Sequence, residues 1–494
     1  MEEKKYPVQF HGTRFFALLP LLVLMAGTFY FYVIVGADSM VVLPMGVLCG
    51  LIVCSLFSKN IGAFWDAAVR GMSDEGANII ALILIFAGIY SSMMAKANVA
   101  GGFVWIGEKL QLSGSVFCVF TFIAVALIAT STGTSVGSII TASSIMYPAG
   151  VLLGVNHLVL MGAIISGALV GDTIGPVSDV TIAACITQKY RNKEGTADIP
   201  GSVLSRLKYS LAISGICIII LLFTSGSGND LQGYDVAALI AEHSYPKGLL
   251  MLISVVLLLI AAVKTRNTFI SITVGIISGT VIAIVAGIFP ASAIISVEGA
   301  DVQGFIAEGV VDILEFVLFT YALFAMIGVL KESGTMDLVI EKLNESKFAG
   351  SVAGTESIIM VGTIISSISM GGDNSPAIML FGPVANELGQ AKGLHPYRRA
   401  NLLSGFSSTL AFLIPFSSFF IFMSVSCANS AAQTYPFIPT ISPTELPKTM
   451  IFCMVSFAVY LFSIVTGWGR KYEGPDGEPV SSPPEVNKLE EGRG

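Results

Sequence analysis

Two aspartates stand seven residues apart beside the longest uncharged stretch of the first half of the chain. From Leu110 to Gly171 there is no Asp, Glu, Lys or Arg; then Gly171-Asp172-Thr173-Ile-Gly175-Pro176-Val-Ser178-Asp179 sets two carboxylates around a Gly-Pro breaker. An ionisable group in hydrocarbon costs upward of about 2.5 kcal/mol, so acids kept there mark an ion or proton path. Such a carboxylate is neutral when protonated and ligates a cation when ionised. Competition of Na+ and H+ for one carboxylate is therefore the simplest exchange chemistry available to it.

Two other polar breaks interrupt apolar runs. The first is Thr130-Ser-Thr132-Gly133-Thr134-Ser135 and the second Ser369-Met-Gly-Gly372-Asp373-Asn374-Ser-Pro376. Gly-rich interruptions free backbone carbonyls and expose half-helix ends, which can ligate a cation at membrane depth. The hydroxyls of Thr132, Thr134 and Ser135 add the hard oxygens that a small cation prefers. Asp172, Asp179, Asp373, Asn374, Thr132, Thr134 and Ser135 are the expected cation ligands. Gly133, Thr173, Ser178 and Gly372 are expected to line a substrate path, with Ser407, Ser408, Thr409, Ser417 and Ser418 around a second broken span at Pro415. Isolated hydroxyls commonly satisfy themselves within packed helices; five of them around one Gly, at the place matching Asp373-Asn374, favour a site. Gly167, Gly171 and Gly175 form a four-residue ladder that lets a neighbouring helix approach closely. His157 and His395 stand at span entrances and read as interfacial.

These residues need a membrane frame. The 494 residues are 54% hydrophobic and 12% charged, with a mean hydropathy of +0.81. A soluble chain carries about 25% charged residues, and a bilayer-spanning helix needs about 20 apolar ones. The chain reads as an all-α polytopic membrane protein. Spans are expected at 15–36, 40–58, 77–97, 114–131, 135–153, 158–188, 208–225, 247–263, 268–289, 311–330, 356–369, 375–389, 400–425 and 448–468. The run after Lys4, Lys5 and Arg14 is too long for a signal peptide and reads as an uncleaved first helix. The seven cysteines lack metal-ligand spacing and read as buried hydrophobes. The net charge of −7 includes no basic cluster suited to nucleic acid. Residues 469–494, polar and Pro-rich, are expected to be a disordered cytoplasmic tail.

The halves repeat. Gly71–Leu110 set against Gly304–Leu343 agrees at ten of forty positions, including Glu75/Glu308, Gly76/Gly309 and Glu108-Lys109-Leu110/Glu341-Lys342-Leu343. Pro148 pairs with Pro383, His157 with His395, Pro176 with Pro415, and Gly46 and Gly50 with Gly275 and Gly279. Lys and Arg gather in the N-terminus and in 59–70, 189–208, 264–266, 331–347, 392–399 and 470–471, which the positive-inside rule places in the cytoplasm. Span 77–97 then runs outward and its mate 311–330 inward, so the repeats are inverted, each with a re-entrant hairpin and a broken transmembrane helix. The organisation expected is an N-terminal segment and first helix (1–39), repeat 1 (40–225), a connecting loop and helix (226–267), repeat 2 (268–425), a last loop and helix (426–468) and the tail.

Gly133-Thr-Ser135, Gly171-Asp-Thr-Ile-Gly-Pro-Val-Ser-Asp179-Val-Thr181 and Gly372-Asp-Asn-Ser-Pro376 together resemble the NhaC family of Na+/H+ antiporters, within the wider ion transporter superfamily. The resemblance implies paired re-entrant hairpins, a transport domain moving against a scaffold, Na+ as transported or coupling ion without any cofactor, and a possible homodimer. The family pattern commonly has Lys after the first Asp and Ser before the Pro; here Thr173 and Gly175 stand there, which alters the charge balance of the site. The leading expectation is exchange of Na+ for H+ across the cytoplasmic membrane. The alternative is Na+- or H+-coupled transport of a small organic solute, an amino acid or carboxylate. An intramembrane enzyme is disfavoured because no His lies deep in a span.

Overall fold

The computed structural model describes residues 6–35, 41–175, 178–226, 231, 234–265, 267–299, 301–335, 337–338, 350–372, 374–415 and 418–483; the side chains of 32–33, 75–76, 131–132, 262–263, 268, 298 and 316 also lie outside the description. The first half folds as α1 (Leu19–Thr28), α2 (Val42–Ser55), α3 (Ile61–Met72), α4 (Glu75–Lys96), α5 (Val99–Lys109), α6 (Gly114–Thr132), α7 (Ser135–Leu152), α8 (His157–Ile174), α9 (Asp179–Ile186) and α10 (Ile199–Thr224). The second follows as α11 (Val236–His243), α12 (Leu252–Thr265), α13 (Thr268–Val285), α14 (Phe305–Val311), α15 (Leu314–Glu332), α16 (Val352–Ser369), α17 (Asn374–Ala391), α18 (Pro396–Ser407), α19 (Phe419–Thr434) and α20 (Ile451–Thr466). Helix starts fall where the sequence offers a cap. Ser113, Asn156, Asp198 and Ser351 each accept the backbone N–H three residues on, at 3.4, 3.1, 2.8 and 3.0 Å, which satisfies donors the first turn leaves open.

Among the described residues, six helices are long and apolar enough to cross a membrane. Others expected to span are shorter or broken: Val42–Ser55, Gly114–Thr130, Phe269–Val285 and Ile451–Thr466 are apolar helices of 10–17 residues. Outward side chains carry the same message. Leu204, Leu211 and Phe223 on α10 are 71%, 63% and 84% exposed, apolar surface that belongs in hydrocarbon rather than water. The chain is a multi-pass membrane protein.

The order of elements recurs between the halves. Gly46 and Gly50 of α2 receive α1, an added Cβ at Gly50 meeting the Pro20 Cα at 2.6 Å. Their partners Gly275 and Gly279 of α13 receive Leu258 and Ser254 of α12 at 2.8 and 3.0 Å. A helix pair then turns at a positive-φ glycine (Gly133, φ 70; Gly371 and Gly372, φ 63 and 83) and is followed by a broken helix. Pro148 and Pro383 sit inside the second helix of each pair. His157 is the first residue of α8, and His395 caps α18.

The long helices of the two halves cross in opposite senses. Asp74, just before α4, pairs with Lys331 at the end of α15 (3.7 Å), and Lys96, at the end of α4, pairs with Glu308 of α14 (2.6 Å). Between them, Gly88 and Gly309 bring the backbones together, each leaving no room for a Cβ against the other's carbonyl oxygen (2.4 and 2.6 Å). Lys331 and Glu332 do not pair with each other: Glu332 takes Arg70 in a two-bond fork at 2.7 and 2.6 Å.

The C-terminal segment departs from expectation. Residues through Pro483 are not a free tail: β3 (Tyr472–Glu473) pairs with β4 (Pro479–Val480), after the earlier β1–β2 pair (Ser296–Glu298, Asp301–Gln303). Glu473 is buried and accepts the backbone N–H groups of Arg191 and Asn192 at 2.7 and 2.8 Å. The His395 Nε2 lies 3.1 Å from the Gly477 carbonyl, while its Nδ1 accepts from Tyr397 N–H. The ring is thus held as a neutral donor to Gly477, and burial keeps its pKa below the usual histidine range. Arg470 reaches the wholly buried Glu356, which also binds Arg398, at 2.6 and 2.7 Å. Polar composition suggests a solvated tail; specific buried acceptors hold it instead.

Candidate functional site

The site grows from the two turns and the first break. Gly133, in the left-handed conformation, ends α6 and lets α7 start at Ser135. In the second pair, Gly371 and Gly372 make the corresponding turn, and the Gly371 carbonyl accepts from Phe419 N–H at 3.0 Å, tying the hairpin tip to the start of α19. The break between α8 and α9 is closed on one side by Gly175 and reopened by Ser178, whose hydroxyl accepts from Thr181 N–H at 3.4 Å. Asp179 therefore falls in the first turn of α9, where the helix dipole favours an anion, and its Oδ1 accepts from Val180 N–H at 2.9 Å. Asp172 lies in the last turn of α8, where the carbonyl ends favour a cation instead. Gly167 and Gly171 place α8 directly on α6: a Cβ at either would meet the Phe122 or Ala126 carbonyl oxygen at 2.4 or 2.2 Å. Gly175 is less tightly held, its nearest neighbours lying at 3.2–3.3 Å.

These pieces enclose a cavity of about 190 Å³. Gly133, Thr134, Ser135, Asp172, Asp179 and Asn374 line it together with Ser375 and Thr320. Ser135 donates to Asp172 Oδ2 at 3.1 Å, and Ser375 donates to Asp179 Oδ2 at 2.7 Å. Asn374 donates to Ser408 Oγ at 2.9 Å. Two oxygens of the lining residues remain without a hydrogen-bond partner, Asp172 Oδ1 and Asn374 Oδ1, as does Ser418 Oγ near Gly372. Buried acceptors left open cost about 1–3 kcal/mol each, and a cation would satisfy them.

The rest of the lining is apolar: Ile79, Ile80 and Ile83 of α4, Leu323 and Phe324 of α15, and Phe419 and Phe420 of α19, with Val136, Val180 and Ile182 close to the polar residues in the chain. Nothing in the sequence marks these residues as part of a site, because each reads as ordinary span packing. Ser375 stands inside the second polar break, where only its neighbours carry an obvious ligand chemistry, and Thr320 is a lone hydroxyl in an apolar run.

Other expected residues lie beside the cavity. Thr173 is buried and its hydroxyl donates to the Val170 carbonyl at 2.8 Å. Ser407 and Thr409 donate to the carbonyls of Ser404 and Phe406 at 3.0 and 2.7 Å, as helix-satisfied hydroxyls do. Ser408 reaches the site only through Asn374, and Gly372 lies 3.6 Å from Ser418 Oγ by its would-be Cβ. Asp373, Ser417 and the side chain of Thr132 lie outside the described residues. A buried Arg206 behind the break is not signalled by sequence, since its segment 189–208 reads as a cytoplasmic basic loop.

Gly133-Thr-Ser135-Val-Gly137 has the spacing of a hydrolase nucleophile elbow. That device needs a strand before the serine and a histidine beside it; here a helix precedes Ser135, its hydroxyl goes to Asp172, and no histidine lines the cavity.

A second cavity, of about 400 Å³, lies farther along the same helices. Ser91, Ser92 and Lys96 of α4, Ser144 of α7, Glu308 of α14 with Asp312, and Ser426, Ser430 and Thr434 of α19 contribute to it. Both cavities thus follow one seam between α4 with α14–α15 and α7 with α19.

Residues 7–225 match the Na+/H+ antiporter family model. The chain is 27% identical over 224 residues to the malate-2H+/Na+-lactate antiporter of Bacillus subtilis, covering 44% of this chain and 46% of that one. It is 24% identical over 277 residues to the Na+/H+ antiporter NhaC of Alkalihalophilus pseudofirmus, covering 54% and 56%. The chain thus spans about half the length of the curated relatives it matches. Among solved structures, the YdaH transporter of Alcanivorax borkumensis matches at a TM-score of 0.39 and 12% identity over 78% of this chain and 85% of that one. MtrF of Neisseria gonorrhoeae matches at 0.39 and 12% over 93% and 95%. Residues 7–225, which carry this match to the Na+/H+ antiporter family, hold the first hairpin, the broken helix and both aspartates of the cavity.

Proposed function

We propose that the protein is a secondary active transporter that exchanges Na+ for H+ through the Asp172/Asp179 cavity. The observation that carries this reading is the convergence of two carboxylates, from the two ends of one broken helix, on a cavity where Asp172 Oδ1 and Asn374 Oδ1 are unpartnered. Carboxylate, amide and hydroxyl oxygens suit Na+, and the same carboxylates accept protons, so each ion excludes the other. Ser135 and Ser375 orient the carboxylates, and the half-helix ends supply fixed dipoles. Asp373, next to Asn374 in the chain, and the side chains of Thr132, Thr134 and Ser178 complete the proposed ligand set. Reconstitution of the full chain into liposomes tests the reading: an imposed Na+ gradient drives H+ movement in the opposite direction. Solute accumulation from an amino acid and carboxylate panel with no H+ flux would sink it.

One observation favours the second reading, ion-coupled movement of a small organic solute. The cavity is an order of magnitude larger than the roughly 10–15 Å³ one water requires, and most of its wall is apolar. A bare cation needs neither. One of the relatives is itself named for malate and lactate.

The repeats are inverted in this proposal, the antiparallel crossing of α4 with α14–α15 supporting it. The protein resides in the cytoplasmic membrane with both termini inside. The ends holding Arg70, Lys331 and the 189–198 loop face the cytoplasm, and the end holding Lys96–Glu308 and residues 288–297 faces out. Ile295 is 57% exposed, so Ile295→Cys reacts with an impermeant thiol reagent from outside in intact cells; reaction only after lysis reverses the orientation.

A further inference from the structure

We infer that Arg206 is a specificity-determining residue of the ion cavity, a fixed internal cation that sets how tightly the aspartates hold Na+; the inference rests on the exchange reading above. Arg206 lies on α10 and is wholly buried. Its Nε donates to Asn401 Oδ1 of α18 at 3.0 Å, and its Nη1 donates to the Thr173 carbonyl at 2.8 Å and to Thr181 Oγ1 at 3.1 Å. All three acceptors are neutral. Nη2 has no hydrogen-bond partner, and no carboxylate among the described residues lies within ion-pair distance of Arg206.

Arg398 is a buried arginine whose counter-ion is in contact, whereas Arg399, also buried, meets only the Asn386 and Lys189 carbonyls among the described residues, at 2.9 and 2.6 Å. Arg398 meets Glu356 at 2.7 Å, Tyr209 Oη at 2.8 Å and Ser463 Oγ at 2.6 Å. A buried ion of either sign costs several kcal/mol unless an opposite charge answers it. For Arg206 that charge is not in contact, and the carboxylate whose field reaches it is Asp172, one residue before the carbonyl Arg206 holds. Asp172 is the mirror case, a buried acid with an open Oδ1. The guanidinium thus stands behind the break, on the protein side, while the ion comes from the cavity side. It offsets part of the negative charge of Asp172 and Asp179 without occupying the oxygens that a cation needs. Its fork is locked to α8, α9 and α18 at once, so the offset is built into the frame and does not depend on loading.

A brace and a charge make different predictions. In liposomes with the full chain, Arg206→Lys keeps the charge and loses the fork, whereas Arg206→Gln keeps a donor and loses the charge. If the charge sets affinity, Arg206→Gln lowers the Na+ concentration for half-maximal exchange by on the order of tenfold, the effect of one nearby unit charge at an effective dielectric of about 20. Its maximal rate falls as well, because the ion leaves more slowly. Arg206→Lys stays within about twofold of wild type in half-saturation, on the same electrostatic ground. Equal half-saturation in Arg206→Gln and wild type, or equal shifts in the Gln and Lys variants, overturns the inference and leaves a brace. Should Arg206→Gln fail to fold, Thr181→Val with Asn401→Leu removes two braces and keeps the charge. Half-saturation unchanged within about twofold supports the inference, and a tenfold fall overturns it. A wild-type protein without Na+-driven H+ movement overturns the exchange reading itself, and the inference with it.

Discussion

The two hairpin-and-break units share a frame and differ in charge. Each has a glycine turn, a proline inside the following helix, a histidine at the next helix start and a broken helix after it. At the cavity the first unit contributes Asp172, Asp179 and Ser135, while the described part of the second contributes Asn374, Ser375 and the phenyl rings of Phe419 and Phe420. The breaks differ in length too. In the first, α9 resumes at Asp179, five residues after α8 ends at Ile174; in the second, a 3-10 turn at Leu410–Leu413 intervenes before α19 starts at Phe419. The shared order of elements accounts for the half-helix ends; the divergence sets two carboxylates on the first unit's part of the cavity and phenyl rings on the second's.

The largest expected effect comes from erasing the charge of the first unit. Asp172→Asn and Asp179→Asn each abolish Na+-driven H+ movement while the variants still express, insert and elute as folded protein. Asn is isosteric and keeps an oxygen, so what it removes is the ionisable charge that both Na+ and H+ need. Wild-type exchange in either variant shows that carboxylate to be a structural acceptor, and the contrast between the units loses its chemical meaning.

How much of this was legible follows the same division. The frame was readable because Gly, Pro and His recur at matching places in the two halves, and because apolar runs report helices directly. The acids were readable because an unpaired charge in such a run has no cheap structural explanation. The apolar wall was not, since Ile79, Ile83, Phe324 and Phe420 are ordinary residues for a span and acquire a role only through tertiary position. Arg206 was hidden by its flanks: an arginine between a basic loop and an apolar helix looks cytoplasmic until α8, α9 and α18 close over it. Glu473 was hidden by composition, its buried acceptor role set by Arg191 and Asn192, which are remote in the chain.

A smaller effect is expected on the second unit. Asn374→Ala removes the open Oδ1 and the bond to Ser408, and raises the Na+ concentration for half-maximal exchange about tenfold, the equivalent of roughly 1.4 kcal/mol. The maximal rate moves less, because both carboxylates of the proposed exchange remain. A loss as complete as that of Asp172→Asn would make the two units equal partners; no change in half-saturation would leave Asn374 a hairpin-tip brace.

The smallest effect tests whether the units speak to each other at all. Ser375, on the second hairpin, donates to Asp179 on the first broken helix at 2.7 Å, a bond between the two halves across the cavity. Ser375→Ala deletes it. Hydrogen bonds to charged groups contribute about 1.5–3 kcal/mol when both partners are buried. Asp179 opens onto the cavity, however, and water can replace the lost donor, so the expected change in Na+ half-saturation is only about threefold, near 0.7 kcal/mol. Its direction is informative. The serine donor stabilises the ionised carboxylate and so opposes its protonation. Loss of the donor therefore strengthens the proton as a competitor: the threefold rise in half-saturating Na+ is largest at acid pH and shrinks as pH rises. A shift independent of pH would mean that Ser375 acts on the shape of the cavity rather than on the carboxylate, and that the second unit reaches the ion only through its amide.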